Sequence, residues 1–289
     1  MKSRARTSSI RIVAAVVLSS VALLAAALAC GSEPGPAADP RPAPVAAGEP
    51  QAETPPQPPL VPLPPLRQPV EGIDVSHHSG AVDWSAVRRD GYAFAYVKAT
   101  EGVDAKDPLF EEHWKQLGGS GMARGAYHFY VTEDDPVVQA RFFLDALAGV
   151  ERGDDDLLPV VDVELVGHGT ADGWSANLER FIEIVEGELG VRPMVYTMPN
   201  FWDAHVGEGY GSSPLWVAEY GVAAPRLPVG FERWHLWQYE QDREVVGVEK
   251  GADVNRVHPE GGIEGLRIGV VRGGGGDGEG DGGTGDGGG

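Results

Sequence analysis

Two carboxylates follow an apolar run in the segment "LLPVVDVEL", where Asp162 and Glu164 stand one valine apart. In an extended strand alternate residues share a face, so both carboxylates would point the same way, about 7 Å apart. Asp74 in "GIDVS" stands in an equivalent position, and Asp253 in "GADVNRV" is a fourth acid. Clustered carboxylates push their pKa values apart, so one can donate a proton while its neighbours stabilise a developing cation. Glycosidic bond cleavage needs that division of labour, although the pair could also merely cap the following loop.

The elements that must position these acids are short apolar runs that alternate with amphipathic runs. Such alternation predicts an α/β fold with a parallel sheet, and about seven strands indicate a single irregular TIM-like β/α barrel. Active sites in such barrels form at the C-terminal ends of the strands. Helical patterns become sparse after residue 200, so the C-terminal part is expected to be irregular or antiparallel. Strands are predicted at 72–76, 94–100, 123–130, 157–165, 193–199, 214–220 and 234–240, and helices at 83–90, 107–118, 134–148 and 174–189.

The N-terminus has the composition of an export signal. Residues 1–11 hold four basic residues and no acid, and the next eighteen residues are apolar apart from two serines. This pattern is typical of a signal peptide, although eighteen apolar residues could also form a single membrane anchor. The run ends at Cys30, the only cysteine, and "ALAC" resembles a bacterial lipobox with Ala27 in place of the usual leucine. We expect an exported protein, either an envelope lipoprotein lipidated at Cys30 or a protein secreted after cleavage near Ala29.

The rest of the chain divides by composition. Residues 1–29 are the predicted signal peptide, and residues 30–69 are a proline- and alanine-rich linker that is expected to be disordered. Residues 70–271 are long enough for one domain with a large core, and residues 272–289 form a glycine- and aspartate-rich tail, also expected to be disordered. Loss of the four basic residues in 1–29 takes the formal net charge from −20 to −24. Such a charge disfavours binding to nucleic acid or to anionic lipid.

Eight motifs in this domain resemble the glycoside hydrolase family 25 lysozymes, the Chalaropsis-type N-acetylmuramidases. They are "GIDVSHHSGAVDW", "AYVKATEG", "GAYHFY", "PVVDVEL", "VYT", "LWVAEY", "LWQY" and "DVN", they occur in the family's order, and they span about residues 70–258. The resemblance implies a flattened, irregular β/α barrel. It also implies an enzyme that cleaves the β-1,4 bond between N-acetylmuramic acid and N-acetylglucosamine in peptidoglycan, without a metal or cofactor.

The resemblance also implies a role for each acid. Glu164 matches the general acid of the family. Asp162 matches the acid that assists the acetamido group of the substrate or stabilises the oxocarbenium-like transition state. Asp74 and Asp253 match two further acids that line the site. Both a substrate-assisted retaining route and alternative routes stay open.

Aromatic side chains and one lysine are candidates for binding the glycan. The resemblance places several strand aromatics in the saccharide groove, although aromatic residues in strands are more often part of the core. Lys98 lies within an apolar strand, and we expect it to pair with an acid of the site rather than to reach the surface. The aromatic candidates are Tyr127, Tyr196, Trp216, Tyr220 and Trp237.

Three other functions compete with this interpretation. His77, His78 and His128 could hold zinc in a metal-dependent amidase or deacetylase, but adjacent histidines on a strand would point in opposite directions. A chitinase-like glycosidase usually has a further acid two residues before the aspartate, where this chain has Val160. A non-catalytic wall-binding module would not need four acids. We therefore expect peptidoglycan glycan strands as the partner, contact with a membrane only through a lipid anchor, and a monomer.

Overall fold

Eight strands close into a barrel, with a ninth short strand at its edge. The computed structural model describes residues 66–166 and 173–274. Around the barrel the strand order is β1, β2, β4, β5, β6, β7, β8 and β9, and β9 pairs with β1 to close it. The strands are β1 Glu71–Val75, β2 Phe94–Glu101, β3 Ala105–Lys106, β4 Ala123–Phe129, β5 Val160–Asp162, β6 Met194–Thr197, β7 Leu215–Ala218, β8 Leu236–Arg243 and β9 Ala252–Val257.

Strand β9, which closes the barrel, is antiparallel to the other seven barrel strands. Strands β1, β2, β4, β5, β6, β7 and β8 are mutually parallel, whereas β9 is antiparallel to both β8 and β1. The start of β9 therefore lies at the same mouth as the C-terminal ends of the parallel strands. The prediction of an irregular barrel with few helices in its C-terminal part is confirmed, while β9 itself was not predicted as a strand.

Four of the helices match the predicted amphipathic runs. The helices are α1 Trp84–Arg89, α2 Phe110–Gly118, α3 Pro136–Ala148, α4 Trp174–Leu189, α5 Pro199–His205 and α6 Ile268–Gly274. Helix α3 begins where Asp135 accepts hydrogen bonds from the N–H groups of Val137 and Val138, with Pro136 in the first turn. Helix α4 ends at Gly190, whose φ of 68° is a left-handed conformation that glycine adopts without strain. Within the described residues no helix is both long and apolar enough to cross a bilayer.

Contacts at both ends of the described chain extend beyond the predicted domain of residues 70–271. The Arg67 guanidinium pairs with Asp90 at 2.8 Å and stacks on the ring of Tyr92 at 4.5 Å. Helix α6 ends three residues after position 271. The predicted signal peptide, Cys30, most of the predicted linker and most of the predicted tail lie outside the described residues.

Aromatic rings fill the barrel interior, and one glycine makes room for them. The Tyr96 ring packs on Trp216 with their centroids 4.9 Å apart, and its hydroxyl donates to the Leu158 carbonyl oxygen at 3.2 Å. Gly125 on β4 lies opposite Tyr96 on β2. A Cβ atom at Gly125 would lie 2.1 Å from the Tyr96 ring, which is closer than non-bonded atoms can approach. The Tyr96 ring can therefore occupy its place in the interior only because residue 125 has no side chain.

We expect Gly125→Ala to lower the thermal midpoint Tm by several degrees. Overpacking of a core costs about 1–3 kcal/mol, and each kcal/mol shifts Tm by roughly 2–4 °C in a domain of this size. The matched control is Gly187→Ala on α4, where an added Cβ has no neighbour within 4 Å. Because alanine favours helix over glycine by about 1 kcal/mol, the control should keep or raise Tm. Calorimetry on both variants is the measurement, and equal losses would contradict this account of the packing.

Candidate active site

A cavity of about 320 Å³ opens at the mouth of the barrel where the parallel strands end. Every one of the four predicted acids lines it, together with Lys98 and four of the five predicted aromatic residues. The parallel strands contribute from their C-terminal ends, and β9 contributes Asp253 from its start. The lining residues are Asp74, Ser76, His78, Lys98, Tyr127, Phe129, Val160, Asp162, Glu164, Tyr196, Trp216, Tyr220, Gln238, Gln241 and Asp253.

Trp237 is the predicted aromatic residue that does not line the cavity. Successive side chains of a strand point to opposite faces, and Gln238, its neighbour on β8, points into the barrel. The Trp237 ring instead packs outside the barrel, 6.2 Å from Trp234 and 5.8 Å from the guanidinium of Arg256. Its indole N–H donates to the Glu219 carbonyl oxygen at 2.7 Å. The expectation that Trp237 contacts substrate is therefore not supported by its position.

Asp74 and Asp253 face each other directly across the strands β1 and β9. Like charges in such a cross-strand pair repel. Burial, followed by repulsion from Asp253, raises the pKa of Asp74 well above its ordinary value. Burial also raises the pKa of Asp253, and the hydrogen bond from the Asp242 N–H at 2.8 Å opposes that rise.

Asp162 and Glu164 lie at the end of β5 with different surroundings. Strand β5 ends at Asp162, so Glu164 reaches the cavity from the following loop and not from an extended strand. Asp162 is 7% exposed, and among the described residues its Oδ1 atom has no hydrogen-bond partner. Burial, then repulsion from Glu164, raises the pKa of Asp162 well above its ordinary value. Glu164 is partly exposed, and burial followed by repulsion from Asp253 raises its pKa too.

Lys98 is the cation of this cavity, but its ion pair is not with one of the four acids. Its Nζ atom lies 2.6 Å from Glu101 and 4.8 Å from the centre of the Phe129 ring. The expectation of a direct pair with a predicted catalytic acid is therefore wrong, because Glu101 on the same strand provides a closer carboxylate. The Lys98 charge still lowers the pKa values of both Asp162 and Glu164 through space.

The three histidines of the metal hypothesis lie in two separate places. His77 and His78 follow β1 in a short 3-10 turn with ring centroids 3.9 Å apart, so they do not alternate as in a strand. His128 is fully buried between the outer side of the barrel wall and helix α3. Its ring nitrogens form hydrogen bonds with Thr100 at 2.8 Å and Gln139 at 3.2 Å. Over residues 66–166 and 173–274, no group of three His, Cys, Asp or Glu side chains could hold a metal ion.

Two buried amides were not predicted as site residues. The Asp74 Oδ2 atom accepts hydrogen bonds from Gln238 at 2.9 Å and from Asn255 at 2.7 Å. Asn255 in turn accepts from the Trp216 indole N–H at 2.8 Å. Gln238 and Asn255 are 2% and 0% exposed. Their signal in the sequence is a polar amide within an apolar strand, because such a group needs partners when it is buried.

The family model described as glycosyl hydrolases family 25 matches residues 73–248, which include the whole cavity apart from Asp253. This match covers more than half of the chain. The protein is a member of glycosyl hydrolases family 25. As a member it is a glycoside hydrolase, and the resemblance seen in the motifs is confirmed.

Relatives of this family 25 hydrolase carry lysozyme and muramidase names. It is 36% identical over 197 residues to Lysozyme M1 of Streptomyces globisporus, which covers 65% of this chain and 67% of that relative. It is 29% identical over 184 residues to the N,O-diacetylmuramidase of Chalaropsis sp., covering 58% of this chain and 87% of the relative. Among solved structures, the bacterial lysozyme from Streptomyces coelicolor superposes with a TM-score of 0.64 at 32% identity, over 71% of this chain and 97% of that one. These relatives support muramidase hydrolysis of peptidoglycan over the alternative functions.

We expect Asp162→Asn to raise the Tm of this family 25 hydrolase at pH 7. The folded-state pKa of Asp162 lies above its unfolded value, so its contribution to stability is lost as pH rises through the folded pKa. The neutral amide removes that penalty, worth on the order of 1 kcal/mol or ~2–4 °C. The gain should shrink as pH falls, because protonated Asp162 no longer repels its neighbours. Tm measured from pH 4 to 8 tests this, with exposed Asp104→Asn as the control; a gain that is independent of pH would contradict it.

Proposed function

We propose that this family 25 hydrolase is a lysozyme that cleaves the β-1,4 bond between N-acetylmuramic acid and N-acetylglucosamine, with Glu164 as the general acid. The observation that carries the proposal is the meeting of four carboxyl groups with unequal surroundings in one cavity. Glu164 is partly exposed, where a glycosidic oxygen can reach it, and its raised pKa favours a proton ready for transfer. Asp162 lies deeper, where it can act on the sugar ring.

The side chains of the cavity have distinct roles in this proposal. Glu164 protonates the leaving oxygen while positive charge develops at the anomeric carbon. Asp162 either orients the acetamido group of the substrate or stabilises that charge directly. Asp74 and Asp253 supply further negative potential at the barrel mouth. The walls against which sugar rings can pack are the aromatic side chains of Tyr127, Tyr196, Trp216 and Tyr220.

Glu164→Gln should abolish lysis while leaving the fold and glycan binding intact. The amide keeps the shape of the side chain but has no proton to give, so the rate should fall by roughly 10²–10⁴-fold. Mass analysis of muropeptides released from purified peptidoglycan is the measurement, because N-acetylmuramic acid at the reducing end identifies the bond that was cut. Products with N-acetylglucosamine at that end, or an active Glu164→Gln enzyme, would refute the proposal. Loss of activity with a chelator would instead favour the metal-dependent amidase or deacetylase.

The pH profile should respond in opposite directions to two charge changes. A general acid works only while protonated, so activity falls as pH rises through the Glu164 pKa. Asp253→Asn removes a repulsion that raises this pKa and should move the alkaline limb of kcat to lower pH. Lys98→Met removes a cation that lowers the pKa and should move the limb to higher pH. Rates on soluble peptidoglycan fragments test this, and shifts in the same direction would contradict the assignment of the limb to Glu164.

For the whole chain, we propose an exported enzyme organised as a signal peptide (1–29), a spacer (30–69), a catalytic domain (70–271) and an acidic tail (272–289). The lipobox-like "ALAC" supports attachment to the membrane through a lipid on Cys30, and cell-wall action fits an exported enzyme. We also expect the catalytic domain to act as a monomer. Cys30→Ala should release the protein from the membrane fraction of a lipoprotein-processing host. If wild-type protein is already found in the medium, secretion without an anchor is correct.

A further inference from the structure

Gln238 on β8 connects three side chains of the cavity. Its amide is almost completely buried, at 2% exposed. The Oε1 atom accepts a hydrogen bond from the Tyr196 hydroxyl at 2.9 Å and another from the Tyr220 hydroxyl. The Nε2 atom donates to Asp74 Oδ2 at 2.9 Å. This one amide therefore joins two tyrosines on one side of the cavity to a carboxyl group on the other.

The direction of these hydrogen bonds is set by the groups around Asp74. Asp74 Oδ2 also accepts from Asn255, whose own oxygen accepts from Trp216. An oxygen that accepts two N–H groups needs the nitrogen end of the Gln238 amide, so the oxygen end must face the tyrosines. The Gln238 oxygen is then an acceptor for both tyrosine hydroxyl groups.

Tyr196 has only one proton, and Glu164 competes with Gln238 for it. The Tyr196 hydroxyl also forms a hydrogen bond with Glu164, which favours the charged carboxylate and lowers the pKa of that residue. Because the same hydroxyl donates to Gln238 at 2.9 Å, the two acceptors share a single proton. The charged and titratable groups that influence Glu164 are Asp74, Asp162, Asp253, Lys98, Tyr196 and Tyr220.

We propose that Gln238 is a positioning residue: its carbonyl oxygen competes with Glu164 for the Tyr196 proton, and its amide nitrogen orients Asp74. By weakening the donation from Tyr196, Gln238 lets Glu164 keep its proton for the glycosidic oxygen up to a higher pH. This proposal rests on the proposed role of Glu164 as general acid.

Gln238→Met tests the proposal because methionine keeps the length of the side chain without its amide. The freed Tyr196 hydroxyl should turn to Glu164, so the alkaline limb of kcat moves to lower pH. At the wild-type optimum kcat should fall about tenfold, the effect of one hydrogen bond to a charged group. An alkaline limb that stays at its wild-type pH would overturn the proposal.

Gln139→Met is the matched control for the loss of a buried amide. Gln139 on α3 is fully buried and bonds His128 and the backbone of Val131 and Asp134, outside the barrel. This variant should lower Tm without moving the pH limb. If it moves the limb as Gln238→Met does, the shift reflects general loosening of the fold and the proposal fails.

Tyr196→Phe provides a second test that removes a single oxygen atom. Loss of the hydroxyl removes the hydrogen bond that lowers the Glu164 pKa, so the limb should move to higher pH. A limb that stays in place or moves to lower pH would show that Gln238 and Glu164 do not compete for a Tyr196 proton and would overturn the proposal. In the Tyr196→Phe background, Gln238→Met should no longer shift the limb, because no hydroxyl proton is left to be released.

These results separate the Gln238 proposal from the proposed function. If wild-type enzyme releases no muropeptides, or if Glu164→Gln remains active, the lysozyme assignment fails whatever Gln238 does. If wild-type activity depends on Glu164 but the limb does not respond to Gln238→Met, only the Gln238 proposal is refuted.

Discussion

Four carboxyl groups share the mouth of this barrel, and the surrounding structure has to offset their mutual repulsion. Asp74 and Asp253 are brought opposite each other because β9 closes the barrel antiparallel to β1. The offsetting contacts are hydrogen bonds from buried amides and a backbone N–H, and the field of one lysine. These contacts come from three strands, β2, β8 and β9. The site therefore exists only when the barrel is closed.

The acids differ in how many hydrogen bonds their carboxyl oxygens accept and in how deeply they are buried. Asp74 accepts two amide N–H groups, whereas Asp162 is buried with one oxygen that has no partner among the described residues. Glu164 lies nearer the solvent. An unsatisfied buried carboxyl group lowers stability, and such costs are concentrated at functional sites. The acids differ in hydrogen-bond partners and in exposure, and this difference has a cost in stability. General acid catalysis requires such a difference, because one acid must stay protonated beside charged neighbours.

Several expectations depended on which face of a strand a side chain occupies. Trp237 and His128 lie in strands that contribute to the cavity, yet both point outside the barrel. A strand buried on both faces has apolar residues throughout, so its composition does not distinguish inside from outside. Gln238 and Asn255 were missed for the same reason, because a buried polar residue can bond on either face. Lys98 pairs with Glu101 on the same strand, and the irregular register between Lys98 and Thr100 accompanies this pairing.

The order of residues was enough to determine the barrel class, the four matched helices, the family and which four acids line the cavity. Those features follow from local periodicity and from motifs that keep their spacing. Closure by β9, the direction of each inward side chain and the course of the hydrogen bonds through Gln238 were decided only by tertiary structure. They depend on contacts between residues as far apart as Asp74 and Asn255, and no local pattern specifies which distant group will satisfy a buried carboxyl group.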